Sequence, residues 1–259
     1  MFTLASASGN TFAYAWADEV SPAFDGARWA RKICPRGTAL GLDGLFLLTR
    51  PESGQPWVLE HWDADGGRTF CSNGSRGALA LPGAPEGPLV EAVSSGERVT
   101  LRREAQGFAI RMPSGPGFGF HPSPLDLPEP HVCGWIGNPQ LVVEVPRAAA
   151  VDLARFAPPL RHHSGFPEGT NVNVLEIVAP GSALIRSWER GVEGETLCCG
   201  TGCAVAGAWL TRRTGLARWE LTPTGGEKVT VEAELQADGS WRELWLSGDT
   251  RILGSFRPA

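Results

Sequence analysis

Residues 199–213 read Cys199-Gly200-Thr201-Gly202-Cys203-Ala204-Val205-Ala206-Gly207-Ala208-Trp209-Leu210-Thr211-Arg212-Arg213. A cysteine and two glycines lead into a run of small and apolar residues, the pattern of a buried helix. Arg212, Arg213 and then Gly215 mark its end. Residues 71–81 repeat the pattern in short form, with Cys71-Ser72-Asn73-Gly74 leading to Ala78-Leu79-Ala80-Leu81 before Pro82 stops it. Further out, Gly9-Asn10 precedes the apolar run 12–16, and Gly137-Asn138 precedes the run 141–145. Asp43 stands before the strand-like run 45–48, and Asn171 before the run 172–177. The spacings agree: 33 residues from Asn10 to Asp43 and from Asn138 to Asn171, then 28 to Cys71 and to Cys199. Each landmark thus recurs 128 residues later without a gap, so the chain is written twice.

Two domains on one plan are therefore expected, one over 1–117 and the other over 118–248, with a cleft between them. Each half opens on a short strand, followed by a helix candidate at Gly26–Ile33 or at 148–156. Alternating segments at 99–103 and 229–233 predict half-exposed strands. The Pro/Gly-rich stretch 113–130 is the closest thing to a linker. Both halves are mixed α/β (α+β), with much antiparallel strand around a central helix.

The net charge of −5 comes with scattered Lys and Arg, which argues against a nucleic-acid partner needing a basic face. No apolar run approaches the roughly 20 residues that span a bilayer, and the first residues lack the basic start and long apolar run of a secretory signal. A cytoplasmic protein with no membrane partner is the expectation. In that setting the six cysteines are free thiols rather than disulfides. Cys198, Cys199 and Cys203 lie close together, but without the second pair or histidines of a zinc site, so no metal is expected.

A cysteine at a helix start gains from backbone N–H groups that lack intrahelical partners and from the positive end of the dipole. Both favour the thiolate and should lower the thiol pKa. Neighbouring glycines let a ligand approach the backbone, where the same N–H groups suit a carboxylate. Two such turns facing each other supply a base and an acid on opposite faces of one α-carbon. That is the equipment of a racemase that needs no cofactor, with a small amino acid as its partner molecule; a homodimer is left open.

These residues resemble the diaminopimelate epimerase family. Asp63-Ala64-Asp65-Gly66 with Cys71-Ser72-Asn73-Gly74-Ser75-Arg76 is similar to its first cysteine motif, and Glu189-Arg190-Gly191-Val192-Glu193-Gly194-Glu195-Thr196-Leu197-Cys198-Cys199-Gly200-Thr201-Gly202 to its second. Gly9-Asn10, Gly137-Asn138-Pro139, Phe166-Pro167-Glu168 with Asn171, and Leu246-Ser247-Gly248-Asp249-Thr250 also stand at family landmarks, so the likeness runs through essentially the whole chain. The resemblance implies two pseudo-symmetric α/β domains, each a central helix wrapped by strands, with the C-terminal tail, about 249–259, returning to the first, and Cys71 and Cys199 as acid and base. It implies that Asn73, Gly200, Thr201 and the Ser72 main chain hold the reacting carboxylate. Asn10, Asn138, Asn171, Glu189 and Arg190 would hold the rest of the substrate. The activity implied is epimerisation of LL-diaminopimelate to the meso form, toward lysine and cell-wall precursors.

Three positions depart from the family. Asp63 replaces an asparagine at the distal end of the substrate, Ser72 a glycine, and Gln140 a histidine near the thiols. An ionised Asp only accepts hydrogen bonds, which suits a distal ammonium. Gln140, a candidate for tuning the thiol, can hydrogen-bond but cannot take up a proton. A racemase of another amino acid, such as histidine or lysine, is the alternative within the class. A thiol redox or metal-binding module built on Cys198, Cys199 and Cys203 is the alternative outside it. Cys198 competes with Cys199 for the catalytic role, and the 128-residue register favours Cys199. Cys203, one turn further on, is expected to be helix core.

Overall fold

A computed structural model describes residues 1–238 and 240–257. Residues 258 and 259 of the expected tail lie outside the described residues. The chain divides into two compact units, Met1–Arg111 with Gly248–Ala259, and Met112–Ser247.

The first unit contains β1 (Phe2–Ala7), β2 (Asn10–Trp16), α1 (Gly26–Ile33), β3 (Gly44–Thr49), β4 (Trp57–Asp63), α2 (Ser72–Gly77), β5 (Val90–Ser94), β6 (Glu97–Glu104) and β7 (Gly107–Arg111). The late strand Thr250–Phe256 returns to pair antiparallel with β1. From β1 onward the neighbours run antiparallel to β2, parallel to β3, antiparallel to β4, parallel to β5 and antiparallel to β6. Helix α1 starts where expected, because Asp25 caps it by accepting from the Arg28 N–H at 3.0 Å. Its buried Ala30 and Ile33 meet Leu45 and Trp62 of the sheet.

The second unit contains β8 (Gly119–His121), β9 (His131–Trp135), β10 (Pro139–Glu144), α3 (Leu153–Arg161), β11 (Asn171–Ala179), β12 (Ser182–Glu189), β13 (Gly194–Thr196), α4 (Gly200–Thr214), β14 (Arg218–Thr222), β15 (Val229–Leu235) and β16 (Trp241–Gly248). Its pairings repeat the first unit's sequence: β9–β10 antiparallel, β10–β11 parallel, β11–β12 antiparallel, β12–β14 parallel and β14–β15 antiparallel. Helix α4 is buried from Gly200 to Thr211. Its small residues let strands approach, so that a Cβ on Gly207 would overlap Val231. Gly215, at φ 78°, ends it with an N–H bond to the Thr211 carbonyl.

Three expectations need correction. The helix expected over 148–156 is a short 3-10 turn at Ala148–Ala150 followed by α3. The Phe156 N–H bonds the Asp152 carbonyl at 2.9 Å, which sets the later start, and buried Leu153, Ala157 and Arg161 carry the helix across Pro158 and Pro159. The stretch 113–130 is no free linker, since β8 lies within it and pairs with β9 inside the second unit. The repeat also slips by one residue at its second strand. Phe12 pairs with Gly44 while Gln140 pairs with Asn171, so Asn171 occupies the place of Gly44 rather than of Asp43.

Candidate active site

In the first unit, Cys71 caps α2 in extended conformation, φ −127° and ψ 105°. Its carbonyl accepts the Ser75 N–H at 3.0 Å and the Ser75 hydroxyl at 2.6 Å. The side chain remains half-buried, whereas Ser72 and Asn73 are buried. Asn73 donates to Asn10 Oδ1 at 2.9 Å and accepts from Arg76 at 3.3 Å. Arg76, fully buried, also reaches Ser8 Oγ and the Gly248 and Asp249 carbonyls. These bonds tie α2 to β1 and to the returning tail. Arg76 is a supporting residue that motif spacing left without a role.

In the second unit, Cys199 caps α4 in nearly the same conformation, φ −101° and ψ 100°, and its carbonyl accepts the Cys203 N–H at 2.9 Å. Cys199, Cys198 and Cys203 are all buried. Beneath the cap runs a hydrogen-bonded chain. Ser187 donates to Asn173 Oδ1 (2.7 Å), Asn173 to Gln140 Oε1 (2.9 Å), and Gln140 to Thr201 Oγ1 (2.8 Å). Gln140 Nε2 also lies 3.9 Å from Cys199 Sγ, and Thr201 Oγ1 lies 3.6 Å from it. Asn173 and Ser187 were not singled out in the sequence; the polar Asn173 between Val172 and Val174 was the available signal.

The acidic residues close their strands in parallel fashion. Asp63 ends β4 and accepts from Thr69 at 2.9 Å; Glu189 ends β12 and accepts from Thr196 at 2.5 Å. In each unit the threonine stands just before the capping cysteine. Asn171 is buried and accepts the Arg190 N–H at 2.7 Å. The Arg190 guanidinium donates to the Glu168 carbonyl at 3.3 Å and lies 3.8 Å from that residue's carboxylate. Asn138 is half-buried, on the turn whose Gly137 has φ 84°.

The helix start does not by itself lower the Cys199 pKa, contrary to expectation. Burial pushes this thiol well above its ordinary value, and the Glu189 carboxylate adds to the effect. Hydrogen bonds from Thr201 and the Gly202 N–H pull the other way and do not prevail. Cys203 is raised by its hydrogen bond to Cys198 and by burial. Burial and Glu189 therefore favour the neutral thiol at Cys199.

Comparison with known proteins places this geometry. The diaminopimelate epimerase family model matches residues 133–248. The diaminopimelate epimerase of Chlorobaculum tepidum is 31% identical over 236 residues, covering 86% of this chain and 88% of that protein. That of Desulforudis audaxviator is 32% identical over 280 residues, covering 93% and 98%. Among solved structures, the Bacillus anthracis phenazine biosynthesis protein of the PhzF family superposes with a TM-score of 0.70 at 16% identity, covering 100% of this chain and 98% of that one, a likeness of fold. Among the described residues, no helix is long and apolar enough to cross a membrane. With both halves of the fold in place and curated relatives matching along most of its length, the chain belongs to the diaminopimelate epimerase family and is an isomerase.

Proposed function

We propose that the protein epimerises LL-diaminopimelate to meso-diaminopimelate with two cysteines and no cofactor, in the supply of lysine and cell-wall precursors. The observation that carries this reading is the cap built twice, with Cys71 and Cys199 in matching backbone conformation at two glycine-containing helix starts. One sulfur, as thiolate, takes the α-proton; the other, as thiol, returns a proton and inverts the centre. Reversal exchanges their protonation states. The carbanion places charge on its carboxylate, where the first N–H groups of α4 at Gly200 and Thr201, with Ser72 and Asn73, would stabilise it.

Asn10, Asp63, Asn138, Asn171, Glu189 and Arg190 are assigned to the rest of the substrate. Arg190 suits a distal carboxylate, since its planar fork matches one bidentately. Asp63, as an ionised acceptor, suits the distal ammonium. Diaminopimelate carries both groups, whereas histidine or lysine offers Arg190 no distal carboxylate. The test is α-deuterium incorporation in heavy water across diaminopimelate, histidine and lysine. Diaminopimelate should exchange fastest, Arg190→Ala should nearly eliminate that exchange, and Asp63→Asn should keep or improve it. Faster exchange of histidine or lysine would overturn the substrate assignment.

A further inference from the structure

The amide chain beneath Cys199 has a direction, and one main-chain carbonyl fixes it. Asn173 Nδ2 lies 3.0 Å from the Leu141 carbonyl oxygen, which can only accept. The Asn173 amide must therefore present its NH2 on that side. The same NH2 group reaches Gln140 Oε1, so the opposite end of Gln140 must be the donor. That donor end meets Thr201 Oγ1 at 2.8 Å and Cys199 Sγ at 3.9 Å. Thr201, having accepted from Gln140, has its own hydroxyl hydrogen left to point at the sulfur 3.6 Å away. Neither amide can flip without setting like against like, because Gln140 and Asn173 are buried and Asn173 is wedged against Gly202, where a Cβ would overlap its Oδ1.

We propose that Gln140 is a permanent hydrogen-bond donor to the Cys199 sulfur, its direction locked from behind by the Leu141 carbonyl through Asn173. The inference rests on the two-thiol reading above, since a reversible exchange needs Cys199 as a thiolate in one direction. The surroundings oppose that charge. Burial opposes it most, and the Glu189 carboxylate of β12 and the neighbouring Cys198 add to it. Gln140 and Thr201, with the Gly202 N–H, are the counterweight. A glutamine supplies its donor at every pH, because its amide does not titrate where the thiol does.

The test is an NMR titration of the whole protein carrying 13Cβ-labelled cysteine, with the Cys199 signal assigned by its loss in Cys199→Ser. Gln140→Met keeps the length and neutrality and removes the donor. It should raise the Cys199 titration midpoint by about one pH unit, a tenfold loss of thiolate at a given pH. Asn173→Asp, which turns the Gln140 oxygen toward Thr201, should raise it as well. Ser187→Ala should leave the midpoint in place, because the Leu141 carbonyl still sets the direction. If Gln140→Met does not fold, the wild-type Gln140 side-chain amide should shift in 15N spectra at the pH where Cys199 ionises, and an amide indifferent to that ionisation would overturn the proposal. An unchanged midpoint in Gln140→Met would overturn it too, even with normal α-proton exchange. A raised midpoint with no exchange on any amino acid would support it and sink the two-thiol reading instead.

Discussion

Three positions beneath each capping cysteine correspond by strand register, and the two units fill them with opposite chemistry. In the first unit they are Phe12, Phe46 and His61; in the second, Gln140, Asn173 and Ser187. The rings pack edge-on and tilted, with Phe46 centred 5.5 Å from Phe12 and 4.6 Å from His61. The amides and hydroxyl form the directed chain that ends at Cys199. The glycine three residues after each cysteine records the difference: a Cβ on Gly74 would strike the Phe46 ring, and one on Gly202 the Asn173 amide. One backbone plan thus carries a helix seated on aromatic packing in one copy and a helix seated on a polar relay in the other. At these positions the first arrangement gives its helix a packed apolar seat, and the second gives orienting hydrogen bonds.

If that division is right, equivalent substitutions should break different things. Phe46→Ala should have the largest effect on stability, about 3–5 kcal/mol, because the ring is fully buried and also stacks on Tyr14 at 5.2 Å. Denaturant unfolding followed by tryptophan fluorescence would read this loss. Gly74→Ala and Gly202→Ala both overpack, at about 1–3 kcal/mol each. Gly202→Ala should in addition displace Asn173 and move the Cys199 titration. Gly74→Ala should leave that titration alone, and identical effects from the two glycines would argue against the comparison.

The smallest effect concerns pH. His61 is buried, and burial lowers its pKa, with Asp63 and the Thr69 carbonyl opposing. The unfolded chain takes up a proton on His61 more readily than the folded one does. Its share of stability is therefore present above the ordinary imidazole value of about 6.5 and lost as pH falls below it, by at most about 1.4 kcal/mol per pH unit. His61→Phe would complete the ring cluster and should flatten the acid limb of the stability curve. A limb as steep as the wild type's would show that other groups set it.

Much of this was legible in the sequence. The repeat, both capping cysteines, the bounds of α1 and the end of α4 follow from spacing and from helix start and stop residues. The one-residue slip between Asp43 and Asn171 was hidden, because strand register is decided by pairing across the sheet and not by distance along the chain. The relay of Asn173 and Ser187 was hidden for the same reason, since two strands and a helix must assemble before those side chains meet. The Cys199 pKa was misjudged because the helix start is a local feature, while burial and Glu189 belong to tertiary structure.

The central claim is that one cysteine from each copy performs the proton transfers, and exchange of the diaminopimelate α-proton in single-cysteine variants tests it most directly. Full epimerisation, followed in heavy water, should fall by on the order of a thousandfold or more in Cys71→Ala and in Cys199→Ala. Cys198→Ala and Cys203→Ala should lower stability more than turnover. Full activity in Cys199→Ala together with its loss in Cys198→Ala would contradict the account.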